Sequence, residues 1–288
     1  MALPLPYALS PSKVASFTDC ALAFRFSAID RLPQPPAPWS TKGTLVHAAL
    51  ERLHLLPAPR RTLGAALDCL DDAARDLAEH PDFTELNLDE RAAGEFFADA
   101  RDLVRRYMQL EDPRRITPIG LEVSLDATVG GVRLRGIIDR LELDDDGELV
   151  VTDYKTGSVP SIQGERKRLS GVHLYALLCE AVLGKRPRRV QLLYLRQPVA
   201  IVAEPTDRST RGTRRSLDAM WQAVERACQR EDFRPRPSAL CDYCAFRAYC
   251  PAFGGTPPSA TTNEQSGAAA EQTTDGQPDH HQPTLVSV

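Results

Sequence analysis

Apolar residues recur with a period close to 3.6 over most of the first 110 residues, which predicts a run of helices. Ser10 before Pro11 is typical of a helix start, with the serine as N-cap, and this helix is expected to run towards Cys20. Four prolines between Pro33 and Pro38 exclude a helix interior and predict a stiff connection. Further helices are predicted over residues 41–55 and, with a break near His80-Pro81, over residues 63–110.

The apolar period then falls to 2, which is typical of strands. Three antiparallel strands are expected over residues 116–128, 132–143 and 149–154, with a turn at Asp144-Asp145-Asp146-Gly147 before the last of them. The pattern next predicts a helix over residues 165–183, strands over 190–195 and 200–204, and a helix over 208–229. This order predicts an α+β fold, or a three-layer α/β arrangement.

Composition marks a boundary near residue 254. Residues 256–288 contain no Lys, Arg or aromatic residue and four acids, so we expect residues 255–288 to be a disordered tail. The rest balances at 35 basic and 35 acidic residues, which excludes a protein that coats DNA through bulk charge. No apolar run approaches the roughly 18 residues of a membrane span, and prolines occupy the place of a signal peptide. We therefore expect a cytoplasmic protein without membrane contact.

Two carboxylates and one amine are predicted to meet on the hairpin. Asp153 and Lys155 are two apart on a strand, so their side chains leave the same face, and the turn brings Asp139 opposite Asp153 to within about one residue. A divalent cation with oxygen ligands is the simplest way to relieve the repulsion between the two acids. The alternative is that Asp139 pairs with Arg140 or Lys155 at a sheet surface.

The helix over residues 41–55 adds His47 and Glu51, which are four apart and share one face. A histidine in this setting is alternatively a half-buried core residue. A role at a metal site requires that this helix packs on the hairpin.

Three short motifs together carry a family resemblance. They are Gly43-Thr44-Leu45-Val46-His47, Gly136-Ile137-Ile138-Asp139-Arg140 and Asp153-Tyr154-Lys155-Thr156-Gly157. In this order, with these intervening elements, they resemble the RecB-type nucleases of the PD-(D/E)xK superfamily. The resemblance covers roughly residues 8–254 and implies a restriction-endonuclease-like mixed sheet. It implies one nuclease domain over residues 1–254, with a helical part (8–110), a catalytic core (116–230) and a cysteine segment (236–254) closed with Cys20.

The resemblance also implies the roles of the motif residues. His47, Asp139 and Asp153 would bind the catalytic metal, with the backbone carbonyl of Tyr154 as a further ligand, and Lys155 would position or activate the attacking water. An imidazole among oxygen ligands favours Mn²⁺ over Mg²⁺, although either ion suits the site. Phosphodiester cleavage needs the charge neutralisation that such a cation supplies.

Three further residues are accessory candidates. Glu51 and Glu122 are weaker candidates for binding the metal through water, and Tyr175 matches the family tyrosine on the helix after the DxK strand. The family usually places a Gln four residues before that tyrosine, but this chain has Gly171 there. The departure leaves three alternatives, which are weaker catalysis, transfer of the role to His173 or Gln163, and absence of catalysis.

Three of the seven cysteines crowd into Cys241-x2-Cys244-x5-Cys250, which favours metal ligation over disulfides in a chain without a secretory signal. Three ligands do not close a site. In the iron–sulfur branch of the RecB-type nucleases, including its AddB and CRISPR-adaptation members, an earlier cysteine joins three later ones around a [4Fe–4S] cluster, and Cys20 matches that position. Zn²⁺ held by four thiolates is the alternative, because spacing alone does not separate the two. The isolated cysteines, predicted to be core residues, are Cys69, Cys179 and Cys228.

The resulting prediction is a metal-dependent DNA nuclease, acting as a single-strand exonuclease in DNA repair or recombination, with a structural [4Fe–4S] cluster. The competing hypothesis is a catalytically weak or inactive DNA-binding subunit that acts with a separate helicase. The chain has no GxxxxGK[ST] phosphate loop, so it is not expected to be an ATP-driven motor.

Overall fold

The computed structural model describes residues 2–159 and 162–257, with the backbone alone for residues 162–170 and 172. The predicted disordered tail therefore lies, from residue 258 onward, outside the described residues. Contacts divide the described chain into two compact units. We call residues 35–217 the sheet unit, and residues 2–34 together with 218–257 the cysteine unit.

Eight α-helices and five strands make up most of the described residues. The helices are α1 (Pro11–Asp19), α2 (Ala21–Phe24), α3 (Pro38–Leu55), α4 (Leu63–Ala78), α5 (Pro81–Thr84), α6 (Glu90–Leu110), α7 (Ile162–Leu183) and α8 (Asp207–Arg230). The strands are β1 (Thr117–Val129), β2 (Val132–Leu143), β3 (Leu149–Lys155), β4 (Arg189–Tyr194) and β5 (Val199–Ala203). Each predicted strand has an observed counterpart whose ends differ from the prediction by at most one residue.

The five strands form one mixed sheet in the order β1-β2-β3-β4-β5. Neighbouring strands are antiparallel except β3 and β4, which are parallel and are joined through α7. A parallel pair needs such a crossover, whereas tight turns suffice for the other pairs. With helices packed against it, this sheet confirms the predicted α+β fold of the restriction-endonuclease-like type.

Helices α3, α4 and α6 bury their apolar faces together and form the main core of the sheet unit. Tyr154, Leu193 and Leu195 contribute to the same core from β3, β4 and the residue after β4. Helix α3 also contacts β1 and β2, and α7 packs along β1, β2 and β4. A role for His47 at a metal site requires that its helix packs on the hairpin, and α3 does so.

Helix boundaries follow the local capping chemistry. Ser10 accepts a hydrogen bond from the Lys13 backbone N–H at 3.1 Å, and Pro11 occupies the first turn, as predicted. Helix α3 begins at Pro38, three residues before the predicted start, because a proline is tolerated in the first turn of a helix. The predicted break near His80 contains the additional short helix α5, capped by the His80 side chain.

The cysteine unit joins the two ends of the described chain. The Leu3 backbone N–H donates to the Cys228 carbonyl at 3.1 Å, and the Phe26 ring packs edge to face on Phe246 with centroids 5.6 Å apart. Phe24 and Phe26 are fully buried. None of the described helices of either unit is long and apolar enough to cross a bilayer.

Candidate active site

The pairing of β2 with β3 brings the two motif aspartates together. Arg140 pairs with Thr152, so one step towards the open end of the hairpin places Asp139 opposite Asp153. Both aspartates are buried. The backbone N–H of Tyr154 donates to Asp139 Oδ2 at 2.6 Å, which fixes the Asp139 carboxylate against β3.

Helix α3 supplies an imidazole to the same place. His47 Nδ1 lies 3.6 Å from Asp139 Oδ2, and the His47 ring meets the Tyr154 ring edge to face at 5.8 Å between centroids. Glu51, one turn further along α3, is buried. His47 is half-buried against Tyr154, and one of its ring nitrogens also faces a carboxylate.

Glu122 completes a group that could hold a cation. One ligand atom from each of His47, Glu122 and Asp139 lies within 4.8 Å of the others. The backbone of Glu122 is left-handed, with φ of 48°. The β1–β2 pairing runs through Leu121 and Val123 on either side of it. A non-glycine residue in this region costs about 1 kcal/mol or more and is typical of functional sites.

Carboxylates crowd around this group. Burial, together with the surrounding carboxylates of Asp139, Glu51 and Asp153, raises the pKa of Glu122 from 4.5 to about 9. Burial also raises the pKa of Asp139, to about 6, although His47 opposes the rise. One imidazole and several carboxylates that repel one another form a donor set that fits a divalent cation.

Asp153 contacts two further side chains of the motif set. The Lys155 ammonium forms an ion pair with Asp153 Oδ2, and the Tyr175 hydroxyl donates to Asp153 Oδ1 at 3.2 Å. Helix α7 can approach this closely because β2 has a glycine at residue 136. A Cβ there would lie 2.9 Å from Leu178 and 3.2 Å from Tyr175.

The position of the family glutamine is open. A Cβ built on Gly171 would meet no atom within 4 Å. His173, two residues further along α7, is half-buried, and burial lowers the pKa of its imidazole. The helix backbone thus continues through Gly171 without a side chain to contact the Lys155–Asp153 pair.

The Arg140 side chain is fully buried behind the motif, a placement that the sequence did not reveal. It forms ion pairs with Glu111 and Glu142 and donates to the Tyr154 hydroxyl at 2.8 Å. Its surroundings also include Thr152 Oγ1 at 3.2 Å. The predicted alternative of an Asp139–Arg140 pair is therefore wrong: Arg140 binds these glutamates, and Asp139 faces His47.

The four predicted cluster cysteines line one cavity in the cysteine unit, with a volume of about 220 Å³. The Arg236 backbone N–H donates to Cys20 Sγ at 3.4 Å, and the Ser238 backbone N–H donates to Cys241 Sγ at 3.3 Å. Burial raises the pKa of the Cys244 thiol, and the neighbouring thiols, which include Cys250, raise it further. Sequence positions more than two hundred residues apart thus share one site.

The four sulfurs do not form a tight group. Among the described residues no three of them lie within 4.8 Å of one another, so in any three at least one pair of sulfurs is further apart than that. The other cysteines are buried as predicted, at Cys69, Cys179 and Cys228.

Comparison with known proteins gives matches over most of the chain. Residues 8–251 match the family model of the PD-(D/E)XK nuclease superfamily. The chain is similar to the Gene 69 protein of Mycobacterium phage D29, at 27% identity, and to that of Mycobacterium phage L5, at 25%. Each alignment covers 85% of this chain and 96% of the relative.

The fold also has a solved neighbour. It is similar to that of a candidate exonuclease from Eubacterium rectale, with a TM-score of 0.52 and 12% identity. The match covers 82% of this chain and 86% of the other. At this identity the likeness shows the fold alone.

The raised pKa of Glu122 predicts that the metal-free site lowers the stability of the folded protein by an amount that depends on pH. In the unfolded chain this carboxyl ionises near pH 4.5, whereas in the folded state it keeps its proton until about pH 9. The folded state therefore binds more protons in this window, and stability falls as the pH rises through it. Glu122→Gln should therefore raise the free energy of unfolding relative to wild type. This gain should be larger at pH 8 than at pH 5, by on the order of 2 kcal/mol.

Urea denaturation in EDTA at both pH values measures this difference. Asp126→Asn, at a partly exposed acid on the same strand that pairs with Arg133, is the control. An effect of Glu122→Gln that does not change with pH would contradict the assignment.

Proposed function

The chain belongs to the PD-(D/E)XK nuclease superfamily, and we propose that it is a divalent-metal-dependent DNA nuclease of the RecB type. The observation that carries this proposal is the convergence of His47, Glu122 and Asp139 beside the Asp153–Lys155 pair. Buried carboxylates that repel one another destabilise a fold unless something neutralises them. A protein that binds no cation here would gain nothing from burying so many of them.

The cation would be held by His47, Asp139 and Asp153, with Glu122 as a further candidate ligand and the Tyr154 carbonyl as a predicted one. Mg²⁺ or Mn²⁺ suits the carboxylates, and the imidazole favours Mn²⁺. When bound, the cation supplies positive charge beside the scissile phosphate and promotes ionisation of the attacking water. Strand pairing and the Tyr154 N–H hold the ligand carboxylates in place before the cation arrives.

Lys155 is the residue proposed to position and activate the attacking water. Its ammonium is held by Asp153 at the end of β3. The ion pair restricts the motion of the Lys155 side chain and keeps its positive charge next to the proposed metal ligands. The Tyr175 hydroxyl binds the other oxygen of Asp153 and leaves that carboxylate little rotational freedom.

The finer aspects of the function rest on the RecB-type resemblance. It supports exonucleolytic action on single strands, a place in DNA repair or recombination, a helicase or other repair protein as partner, and a cytoplasmic location. The fold of the Eubacterium rectale neighbour, itself a candidate exonuclease, is compatible with the exonuclease proposal.

A second candidate function is a DNA-binding subunit with weak or no catalysis. The observation that favours it is Gly171, where the family glutamine is replaced and no side chain fills the space. Against it stands the retained set of four motif residues, which are His47, Asp139, Asp153 and Lys155.

We further propose that Cys20, Cys241, Cys244 and Cys250 hold a [4Fe–4S] cluster of structural role. Four thiolates on one Zn²⁺ lie only about 3.8 Å apart, because each Zn–S bond is about 2.3 Å long and the geometry is tetrahedral. A [4Fe–4S] cluster binds each thiolate through a different iron atom, so its ligands stand further apart. In any three of the four sulfurs at least one pair is more than 4.8 Å apart, and this separation favours the cluster over the zinc alternative.

The nuclease proposal predicts metal-dependent loss of end-labelled DNA. Purified without oxygen and supplied with Mn²⁺, the protein should degrade linear single strands and leave circular ones intact. Asp153→Asn and Lys155→Met should each lower the rate by about 100-fold or more, because each removes a group that acts on the reacting centre. Asp126→Asn should retain the wild-type rate.

Gel electrophoresis of the labelled products measures degradation by the wild type and the three variants. Cutting of circles would replace the exonuclease proposal with an endonuclease. Binding of DNA without any metal-dependent cutting would favour the second candidate function.

The cluster proposal predicts about four iron and four sulfide per chain and a broad visible absorption band in protein prepared without oxygen. Cys20→Ser should lose the band and most of the iron, whereas Cys69→Ala, outside the cluster, should keep both. One zinc per chain and no sulfide would establish the zinc alternative instead.

A further inference from the structure

Positive charge is concentrated in one part of the sheet unit. Residues 185–217 contain nine Lys or Arg and only two Asp or Glu, although the whole chain carries a net charge of −4. Four of these arginines lie within eight residues at the start of α8, at positions 208, 211, 214 and 215. The net charge of the whole chain does not reveal this local excess of positive charge.

Three of the arginines lie on one face of the helix. Arg208, Arg211 and Arg215 are spaced three and four residues apart, which aligns them along one side of an α-helix, and all three are exposed. Thr210 and Leu217, on the opposite side, are buried. We call Arg208, Arg211 and Arg215 the arginine stripe.

The arginine stripe forms no ion pair of its own among the described residues, although Asp207, which binds Arg186, lies close enough to Arg211 for an electrostatic interaction. Exposed arginines elsewhere in the sheet unit behave differently. Arg75, Arg91 and Arg105 each pair with an acid about one turn away on the same helix.

The shape of the stripe suits a chain of anions. Its members span about 10 Å along the helix axis, at 1.5 Å per residue. Gly212 lies between them on the same face, and a Cβ built there would meet no atom within 4 Å, so the helix surface is open at this point. Guanidinium groups bind phosphate through two parallel hydrogen bonds, which makes arginine the residue suited to a phosphate backbone.

We propose that the arginine stripe binds the sugar–phosphate backbone of DNA outside the metal centre. The inference rests on the proposed function, because a nuclease substrate carries one phosphate per nucleotide and so offers the repeated anion that three aligned, unpaired arginines fit. Contacts between arginine and phosphate depend on charge and not on base sequence. The stripe would therefore hold the strand without restricting the sequence at which it is cut.

The test compares two triple variants that remove the same charge. R208Q/R211Q/R215Q removes the stripe, and R75Q/R91Q/R105Q removes three exposed but paired arginines. Fluorescence anisotropy measures binding of a labelled single-stranded oligonucleotide in EDTA, which prevents cleavage, over a range of NaCl concentrations. Thermal denaturation checks that both variants fold.

The stripe variant should bind the oligonucleotide about tenfold or more weakly, and the slope of log K against log salt should fall by about 2, as three lost phosphate contacts on a single strand require. The control variant should keep the wild-type slope. With Mn²⁺, hydrolysis of bis-p-nitrophenyl phosphate, which carries a single phosphate and no nucleic-acid backbone for the stripe to bind, should be equal in all three proteins.

Equal slopes for the stripe variant and wild type would overturn the proposal, as would an equal loss in the control variant, which would reduce the effect to bulk charge. Tighter binding of polyglutamate than of the oligonucleotide would assign the stripe to an acidic protein partner and also overturn it. Absence of hydrolysis of either substrate by wild type would defeat the proposed function, while the binding comparison would still decide the role of the stripe.

Discussion

The pairing of β2 with β3 sets two adjacent residues of opposite charge into buried positions, and much of the sheet unit is arranged around that constraint. Arg140 is compensated by the protein itself, through Glu111 and Glu142. Asp139 is surrounded by further carboxylates and one histidine, so its compensation is incomplete. A buried charge without a partner is strongly destabilising, so the compensated Arg140 serves the structure, whereas the incompletely compensated Asp139 belongs to the candidate metal site.

Tyr154 connects these two environments. Its backbone N–H binds Asp139, while its hydroxyl accepts from Arg140 and its ring belongs to the helical core. A change in the Arg140 network would therefore reach the Asp139 carboxylate through a single residue. Because Tyr154 is buried and bound at both its backbone and its hydroxyl, it holds the Asp139 carboxylate in one position, which favours precise placement of ligands.

The sequence predicts the elements well, because periodicity and capping act locally. Ser10 and Pro11 mark the start of α1, and the Asp-rich turn fixes the hairpin register that brings Asp139 opposite Asp153. Nothing local predicts the left-handed backbone of Glu122, since that conformation costs energy in isolation and occurs where Leu121 and Val123 on either side pair with β2. The burial of Arg140 is equally non-local, because its glutamates come from the end of α6 and from β2 itself. The joining of residues 2–34 with 218–257 depends on packing between parts of the chain that no short pattern links.

The raised pKa values explain how the sheet unit can fold before it holds a cation. With a pKa of about 9, Glu122 is a neutral acid at pH 7, so one of the crowded carboxylates carries no charge in the metal-free protein. The proton relieves the same repulsion that a divalent cation would relieve. Binding of a cation at the proposed site would therefore exchange a proton for the cation, and the affinity would rise with pH until the carboxyl is ionised. The carboxylate crowding on which the proposed metal site rests would thus also make its occupation depend on pH.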